Sequence, residues 1–249
     1  MIDFHSHVLP KLDDGAKNVE TSIKMLEESK KQGVTTVVCT PHYYGRKYSP
    51  ERFLEKRQEA RAQLEGKIPE GLQLRCGAEV YFTQDNMVSY EDLSMLCIEG
   101  TRYIMLEMPF TPKFSDRLFK KIEALMYETD CIPIIVHVDR YPAVLKNPSI
   151  VKRFLEMGCL LQVNAEAFEM KGAKSFAYAL LKKGLIHAMG TDMHNLEDRA
   201  PNLSMIQQVL STVPTSIRER LEAMQNAILS NERIVPDVKT VRKFFGKYF

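Results

Sequence analysis

Short runs of apolar and β-branched residues alternate along the chain with longer stretches whose apolar positions recur three and four residues apart. The short runs predict strands near 2–6, 35–40 (TTVVCT), 73–81 (QLRCGAEVY), 103–107 (YIMLE), 132–138 (IPIIVHV), 159–164 (CLLQVN) and 186–191 (IHAMGT). The periodic stretches predict helices near 19–32, 50–65, 115–129, 148–157, 173–183, 201–211 and 215–229, with Asp116 and Asn147 as caps. Gly33, Gly158 and Gly184 close helices ahead of the next strand. Strand, loop and helix in regular succession predict parallel β-α units wound into one α/β barrel, and 249 residues suit a single domain over 1–249. The least regular segment, 84–100, predicts a long excursion between strands. The tail VRKFFGKYF is basic and aromatic, and reads as a final helix packed on the barrel or as a docking peptide.

Composition narrows the class without choosing a function. With 34 basic against 32 acidic residues, the chain lacks the cationic excess of a dedicated nucleic-acid binder. Cys39, Cys76, Cys97, Cys131 and Cys159 form no C-x-x-C pair, and an odd, scattered set fits reduced thiols in a reducing cytoplasm. No basic n-region precedes an apolar stretch at the start, and no run approaches the ~20 apolar residues of a membrane helix. The expectation is a soluble, cytoplasmic protein with no direct membrane insertion.

The histidines change the picture. Of the six, His5, His7, His42, His137 and His194 fall at or just past the C-terminal end of a predicted strand, the rim where βα loops of a barrel converge. Glu79, Glu107 and Asp192 end strands on the same rim, and Asp14 lies in the first loop. His5/His7 and Asp192/His194 have the i, i+2 spacing that aims both side chains at one side of an extended chain. One histidine at a strand end is more often a hydrogen-bonding residue than a ligand, but that does not account for five imidazoles and four carboxylates in one layer. Carboxylates clustered this way repel unless cations compensate them. The set exceeds what one tetrahedral ion needs and suits two or three divalent ions. Ligation by N and O without thiolate is compatible with Mn, Fe, Zn or Co. His187 opens its strand at the opposite end and reads as structural.

The motifs D-F-H-S-H-V-L-P…D-D-G-A, T-P-H, G-A-E, L-E-M-P, H-V-D-R and G-T-D-M-H-N, in order from residue 1 to about 200, resemble the PHP (polymerase and histidinol phosphatase) superfamily. More narrowly they resemble its bacterial protein-tyrosine phosphatase branch, associated with capsule and exopolysaccharide loci. The resemblance implies a distorted seven-stranded (β/α)7 TIM-like barrel holding three ions, with Mn suggested. It implies His5, His7, Glu79 and Asp192 at the first metal, with Glu79 bridging to a second completed by Glu107 and His137. Asp14, His42 and His194 would hold the third. Many wider superfamily members have histidines where this chain has Asp14 and Glu107, a departure shared with the tyrosine-phosphatase branch.

Phosphomonoester hydrolysis needs an activated water, a clamp on the phosphoryl oxygens and a proton for the leaving group. Arg140, three residues after His137, and Arg199, five after His194, overhang the rim as guanidinium clamps, and the resemblance points to the same two. Asp14 or a metal-bound water are the candidates for general acid. Tyr43, Tyr44, Tyr48 and Phe110 stand in rim loops that would flank a phenyl ring. The C-x5-R signature of cysteine-dependent phosphatases is absent, because Gly45, Phe82, Tyr103, His137 and Ala165 stand six positions after the cysteines. G-x-S-x-G, H-E-x-x-H, a complete P-loop and G-x-G-x-x-G are absent too. The leading expectation is dephosphorylation of phosphotyrosine on a protein, a bacterial tyrosine autokinase in particular. The alternatives are a small-molecule phosphatase such as histidinol phosphatase, a nuclease or other phosphodiesterase, and a metal-keeping binding module.

Overall fold

The structure is a computed structural model describing residues 1–83, 85 and 88–249. In chain order it runs β1 (Ile2–Ser6), α1 (Val19–Lys31), β2 (Thr36–Cys39), β3 (His42–Tyr43), α2 (Pro50–Ala62), β4 (Gln73–Cys76), β5 (Glu79–Tyr81) and α3 (Tyr90–Ser94). There follow β6 (Tyr103–Glu107), α4 (Asp116–Thr129), β7 (Ile132–Ile135), α5 (Pro142–Lys146), α6 (Ser149–Glu156) and β8 (Leu160–Asn164). A 3-10 turn (Ala165–Phe168), α7 (Lys174–Lys182), β9 (Ala188–Gly190), α8 (Leu203–Ser211), α9 (Thr215–Leu229), β10 (Lys243–Phe244) and β11 (Lys247–Tyr248) complete it.

Six strands pair in parallel in the order β3-β5-β6-β7-β8-β9 and curl into a half-barrel, while β1-β2-β4 form a second parallel sheet. The strand expected at 35–40 is present as β2 and is followed by the unexpected short β3, while the run expected as one strand at 73–81 is interrupted. Thr40 and Pro41 separate β2 from β3, and Gly77 and Ala78 separate β4 from β5. Proline has no N–H for a ladder, so the pairing shifts there. Gly77 N donates to Cys39 O at 2.8 Å and Glu79 N to Pro41 O at 3.0 Å, which carries the two segments across the break together. β1 lies beside β9, with Asp192 N donating to His5 O at 2.8 Å and His7 N to Met193 O at 2.9 Å.

Alternation along the strands sorts the apolar residues into two cores. Phe4, Val38, Tyr103, Met105, Ile134, Leu160 and Ala188 pack together inside the curled strands. Ile104, Leu106, Ile135, Leu161 and Val163 face the helices, whose buried stripes include Met25, Leu118, Ile122, Phe154 and Leu180. Along β6 and β8 the inward phase that begins with Tyr103, Met105 and Leu160 continues as Glu107, Gln162 and Asn164. The same geometry that fills the core therefore ends in polar groups on one rim. β1 departs from strict alternation through a register shift between Asp3 and Ser6, and such a bulge re-aims the side chains beside it.

Several boundaries differ from the expectation. Ser115, not Asp116, caps α4 by accepting from Leu118 N at 3.2 Å; Asp116 sits one residue inside, where its charge favours the helix N-terminus. Pro148 occupies the cap position of α6, and Asn147 Oδ1 accepts from Ser149 N and Oγ. Gly33, Gly158 and Gly184 take positive φ just beyond α1, α6 and α7. Of the segment 84–100, residues 84, 86 and 87 lie outside the described residues, and the remainder contains the short α3. The tail forms a hairpin and not a helix. Phe245 (φ 46) and Gly246 (φ 78) make a two-residue turn. Tyr248 is buried against Phe176 and donates to Leu145 O at 2.7 Å. The five cysteines are free thiols. His187 is buried at the far end of its strand, its Nδ1 accepts from Leu161 N, and burial pushes its pKa down to about 4, so it is a neutral structural residue. Among the described residues no helix is long and apolar enough to cross a membrane.

The inner core is the platform for the rim. Phe4→Ala, at a fully buried position, is expected to cost about 3–5 kcal/mol. A lowered urea midpoint at unchanged slope would show it, and an unshifted midpoint would contradict this packing.

Candidate metal centre

At the C-terminal ends of the strands, histidines and carboxylates crowd one buried volume. His5 Nε2 and His7 Nε2 lie 3.2 Å apart. Glu79 Oε2 is 3.2 Å from each of them, and Asp192 Oδ1 is 3.5 Å from His5 and 3.3 Å from His7. His137 Nε2 meets Glu79 Oε1 at 2.8 Å and Glu107 Oε1 at 3.6 Å. His42 Nδ1 lies 3.0 Å from Glu79 Oε2, and its Nε2 lies 3.6 Å from Asp14 Oδ1. His194 Nε2 faces the same Asp14 oxygen at 3.4 Å. The groups fall into three sets able to surround an ion: His5, His7 and Asp192; His7, Asp14, His42 and His194; and His42, Glu79 and Glu107. His7 and His42 each belong to two sets, and Glu79 Oε2 approaches His5, His7 and His42 alike, which makes this one continuous centre.

The outer nitrogens settle which atoms face inward. His7 Nδ1 lies 2.6 Å from Asp13 Oδ2, so the proton sits between them. His5 Nδ1 points to Gln162 Oε1 at 3.4 Å, and His194 Nδ1 donates to Asp192 O at 2.9 Å. In each case the second nitrogen is aimed at the centre. At His7 burial disfavours charge, but Asp13, Asp192 and Glu79 outweigh it and raise the ring well above the usual imidazole value, so a cation there displaces a proton. His194 Nε2, His42 Nδ1, Glu79 Oε2 and His137 Nδ1 are buried without a hydrogen-bond partner. His42 Nδ1 and Glu79 Oε2 are 3.0 Å apart yet do not meet as donor and acceptor. Acceptors facing acceptors at this spacing fit divalent cations of N/O preference.

The electrostatics agree. Burial opposes charge on Glu79 and Asp192, but the surrounding imidazoles outweigh it and hold both well below the usual carboxylate range. Glu107 goes the other way: burial, then the neighbouring Glu79 charge, push it up to about 7. Asp13 is buried too, yet His7, Gly15 N and His42 N keep it ionised.

Backbone strain and close packing hold this geometry. His137, two residues past the end of β7, has φ 30, and Asp192 has φ 56. Both lie in the left-handed region, which costs on the order of 1–3 kcal/mol per residue and persists where the surroundings over-determine it. A Cβ on Gly15 would lie 2.0 Å from His7 O, and one on Gly190 would lie 2.6 Å from His5 N. Only glycine permits these approaches.

Asp192 divides its oxygens. Oδ1 turns to the imidazoles, while Oδ2 accepts from Arg140 at 2.7 Å, Arg199 at 2.8 Å and Asn164 Nδ2 at 3.0 Å. Arg140 also pairs with Glu166. The two guanidiniums thus stand directly on the edge of the cation site. Tyr44 is 40% exposed with its ring 5.4 Å from His42, and Phe110 is 50% exposed and stacked on His137 at 5.7 Å. The other two aromatics expected at the rim are elsewhere. Tyr43 is buried against Phe53 and donates to Tyr48 O, and Tyr48 is covered by Lys47 and Lys56.

Several supporting residues are absent from the sequence reading. Asp13 orients His7. Gln162 accepts from His137 N at 2.6 Å and donates to Asn164, which donates in turn to Asp192. Asp3 accepts from Thr191 N and Oγ1 and from His5 N, tying β1 to β9. The available signal was two polar residues at i, i+2 within the apolar run L-L-Q-V-N, and a second acid beside Asp14.

The family model for capsular polysaccharide synthesis proteins, CpsB/CapC, matches residues 1–229. The chain is 30% identical to the tyrosine-protein phosphatase CpsB of Streptococcus pneumoniae over 85% of this chain and 90% of that protein. It is also 30% identical to the tyrosine-protein phosphatase YwqE of Bacillus subtilis over 99% of each. A solved structure from work on YwqE and CpsB, described as unique metal-dependent tyrosine phosphatases, aligns with a TM-score of 0.83 at 26% identity, covering 98% of this chain and all of that one.

Two outcomes are expected. Asp13→Asn frees the His7 ring and should weaken metal binding about 10–100-fold by titration calorimetry while far-UV circular dichroism is preserved; unchanged affinity would remove Asp13 from the centre. Because Glu107 holds a proton below a pKa of about 7, cations compete with that proton. Affinity should therefore rise from pH 6 to pH 8, by up to about tenfold per pH unit on the acid side. A flat profile, or one falling with pH, would contradict this.

Proposed function

The chain belongs to the CpsB/CapC family of capsular polysaccharide synthesis proteins, and we propose that it hydrolyses phosphotyrosine in proteins with the help of bound metal. The observation that carries this reading is the double contact of Asp192. One oxygen faces a cluster of imidazole lone pairs, and the other takes two guanidiniums. A cation site bordered directly by paired arginines has the charge pattern of a phosphoryl site.

Three divalent ions, manganese by preference, are assigned to the centre. Following the resemblance, His5, His7, Glu79 and Asp192 would hold the first, Glu79, Glu107 and His137 the second, and Asp14, His42 and His194 the third. Such ions supply an activated water near neutral pH and neutralise phosphoryl charge. The chain's own residues do the rest. Arg140 and Arg199 grip phosphoryl oxygens from the side of Asp192, with Glu166 steering Arg140. Asp14 is held strongly acidic, first by its hydrogen bond to His194. That supports a ligand's role for it better than a general acid's, and the phenolate of tyrosine departs with little need of a proton. Tyr44 and Phe110, exposed beside His42 and His137, flank the phenyl ring.

The same reading takes the broken pairs β2/β3 and β4/β5 as single strands, giving a distorted seven-stranded barrel of one domain over 1–249. The bridge between Ser6 and Met193 supports its closure. The substrate inferred is a bacterial tyrosine autokinase, met in the cytoplasm.

The test sets a phosphotyrosyl peptide, histidinol phosphate and single-stranded DNA in parallel before the manganese-loaded protein. The peptide should be turned over best, and chelation should abolish activity while the fold persists. His5→Ala or Asp192→Asn should abolish turnover, and Arg199→Ala should lower kcat/KM by about 10²-fold. Preference for either competitor would overturn the substrate assignment.

A further inference from the structure

A second concavity opens beside the centre. It is a groove of about 660 Å³, within the ~300–1,000 Å³ range of built ligand sites. Tyr44 begins it: its ring stands 5.4 Å from His42 on one side and 5.7 Å from Tyr81 on the other. Tyr81 lies two residues beyond Glu79 on β5, so the groove shares both a strand and a loop with the metal ligands. Buried Phe114 contributes to its apolar lining.

Its charge is one-sided. Arg46 and Lys113 line the groove and are exposed; no close ion pair holds either among the described residues, and the charge of Lys113 acts on Asp116 from a distance. The one acid lining it, Asp85, faces Arg117 at 3.8 Å. An aromatic lining flanked by two exposed cations, continuous with a site for phosphotyrosine, is complementary to extended peptide bearing carboxylates.

We propose that this groove is the subsite for the residues flanking the phosphotyrosine, and that it selects substrates whose flanking side chains are acidic. Tyr44 and Tyr81 provide flat surface against which peptide packs, while Arg46 and Lys113 meet its carboxylates. The inference rests on the phosphatase reading but goes beyond it, because the metal centre alone selects nothing outside the phosphotyrosine itself.

The probes are a phosphotyrosyl heptapeptide with Asp and Glu on both sides of the phosphotyrosine and its Asn/Gln counterpart, which differ in charge and not in size. With the manganese-loaded full chain at low salt, kcat/KM for the acidic peptide should exceed that for the neutral one by about three- to tenfold. The ratio should shrink toward one as ionic strength rises. In the double variant Arg46→Glu/Lys113→Glu it should fall to one or below. Fluorescence anisotropy with labelled peptides supplies a readout independent of turnover and should give the same order of affinities. Equal treatment of the two peptides by the wild type, or a preference surviving the charge reversal, overturns the groove assignment. Absence of turnover with both peptides would count against the phosphatase reading instead, and the anisotropy ratio would still decide the groove.

Discussion

Imidazole nitrogens and carboxylate oxygens crowd one another at the strand ends, closer together than their protons alone can reconcile. His5 Nε2 and His7 Nε2 are 3.2 Å apart while their outer nitrogens face Gln162 and Asp13. Neutral rings at that distance repel through their lone pairs, and two protonated rings would repel through their charge; the carboxylates around His7 favour a proton on that ring against the cost of burial. A divalent ion resolves both difficulties at once, since each lone pair becomes a ligand and each carboxylate gains its countercharge. Glu107, pushed toward its neutral form by burial and then by the charge of Glu79, shows the same pressure from the acidic side.

The scaffold serves that constraint. Parallel strands, apolar on both faces, give the ligands a stiff base: β1, β6 and β8 are buried along their whole length. Each strand that ends on the rim delivers one or two polar groups there. A second ring of Asp13, Gln162, Asn164 and Asp3 fixes the ligands by hydrogen bonds. The positive φ of His137 and Asp192 places local strain where the fold can hold it, at the centre itself. Asp192 is the joint of the arrangement, because it links the imidazoles to Arg140 and Arg199.

Much of this was legible in the chain. Strand and helix positions followed from apolar periodicity, and the nine ligand candidates stood out because histidines are few and fall at strand ends. The interruption at Gly77–Ala78 was not legible, because a run of β-formers looks the same whether its ladder continues or changes partners, and the two-residue β3 after Pro41 is too short to show a pattern. The hairpin at the tail was missed for a related reason: V-R-K-F-F-G-K-Y-F is too short to show a period, and its Phe245-Gly246 turn decides the outcome. Gln162 was hidden since its role exists only through His5 and His137, distant in sequence, and Asp13 because two adjacent acids in one loop do not show which of them turns to His7. Tyr43 and Tyr44 are adjacent yet point to core and rim respectively, a distinction that single-residue spacing in a two-residue strand could not assign.

Anomalous diffraction from crystals grown with manganese, recorded on both sides of its absorption edge, tests the central claim most directly. The account predicts peaks enclosed by the three sets of ligands, with the inner nitrogens of His5 and His7 and an oxygen of Glu79 drawn to them. Peaks elsewhere on the surface, or none while His5 and His7 remain face to face, would contradict it.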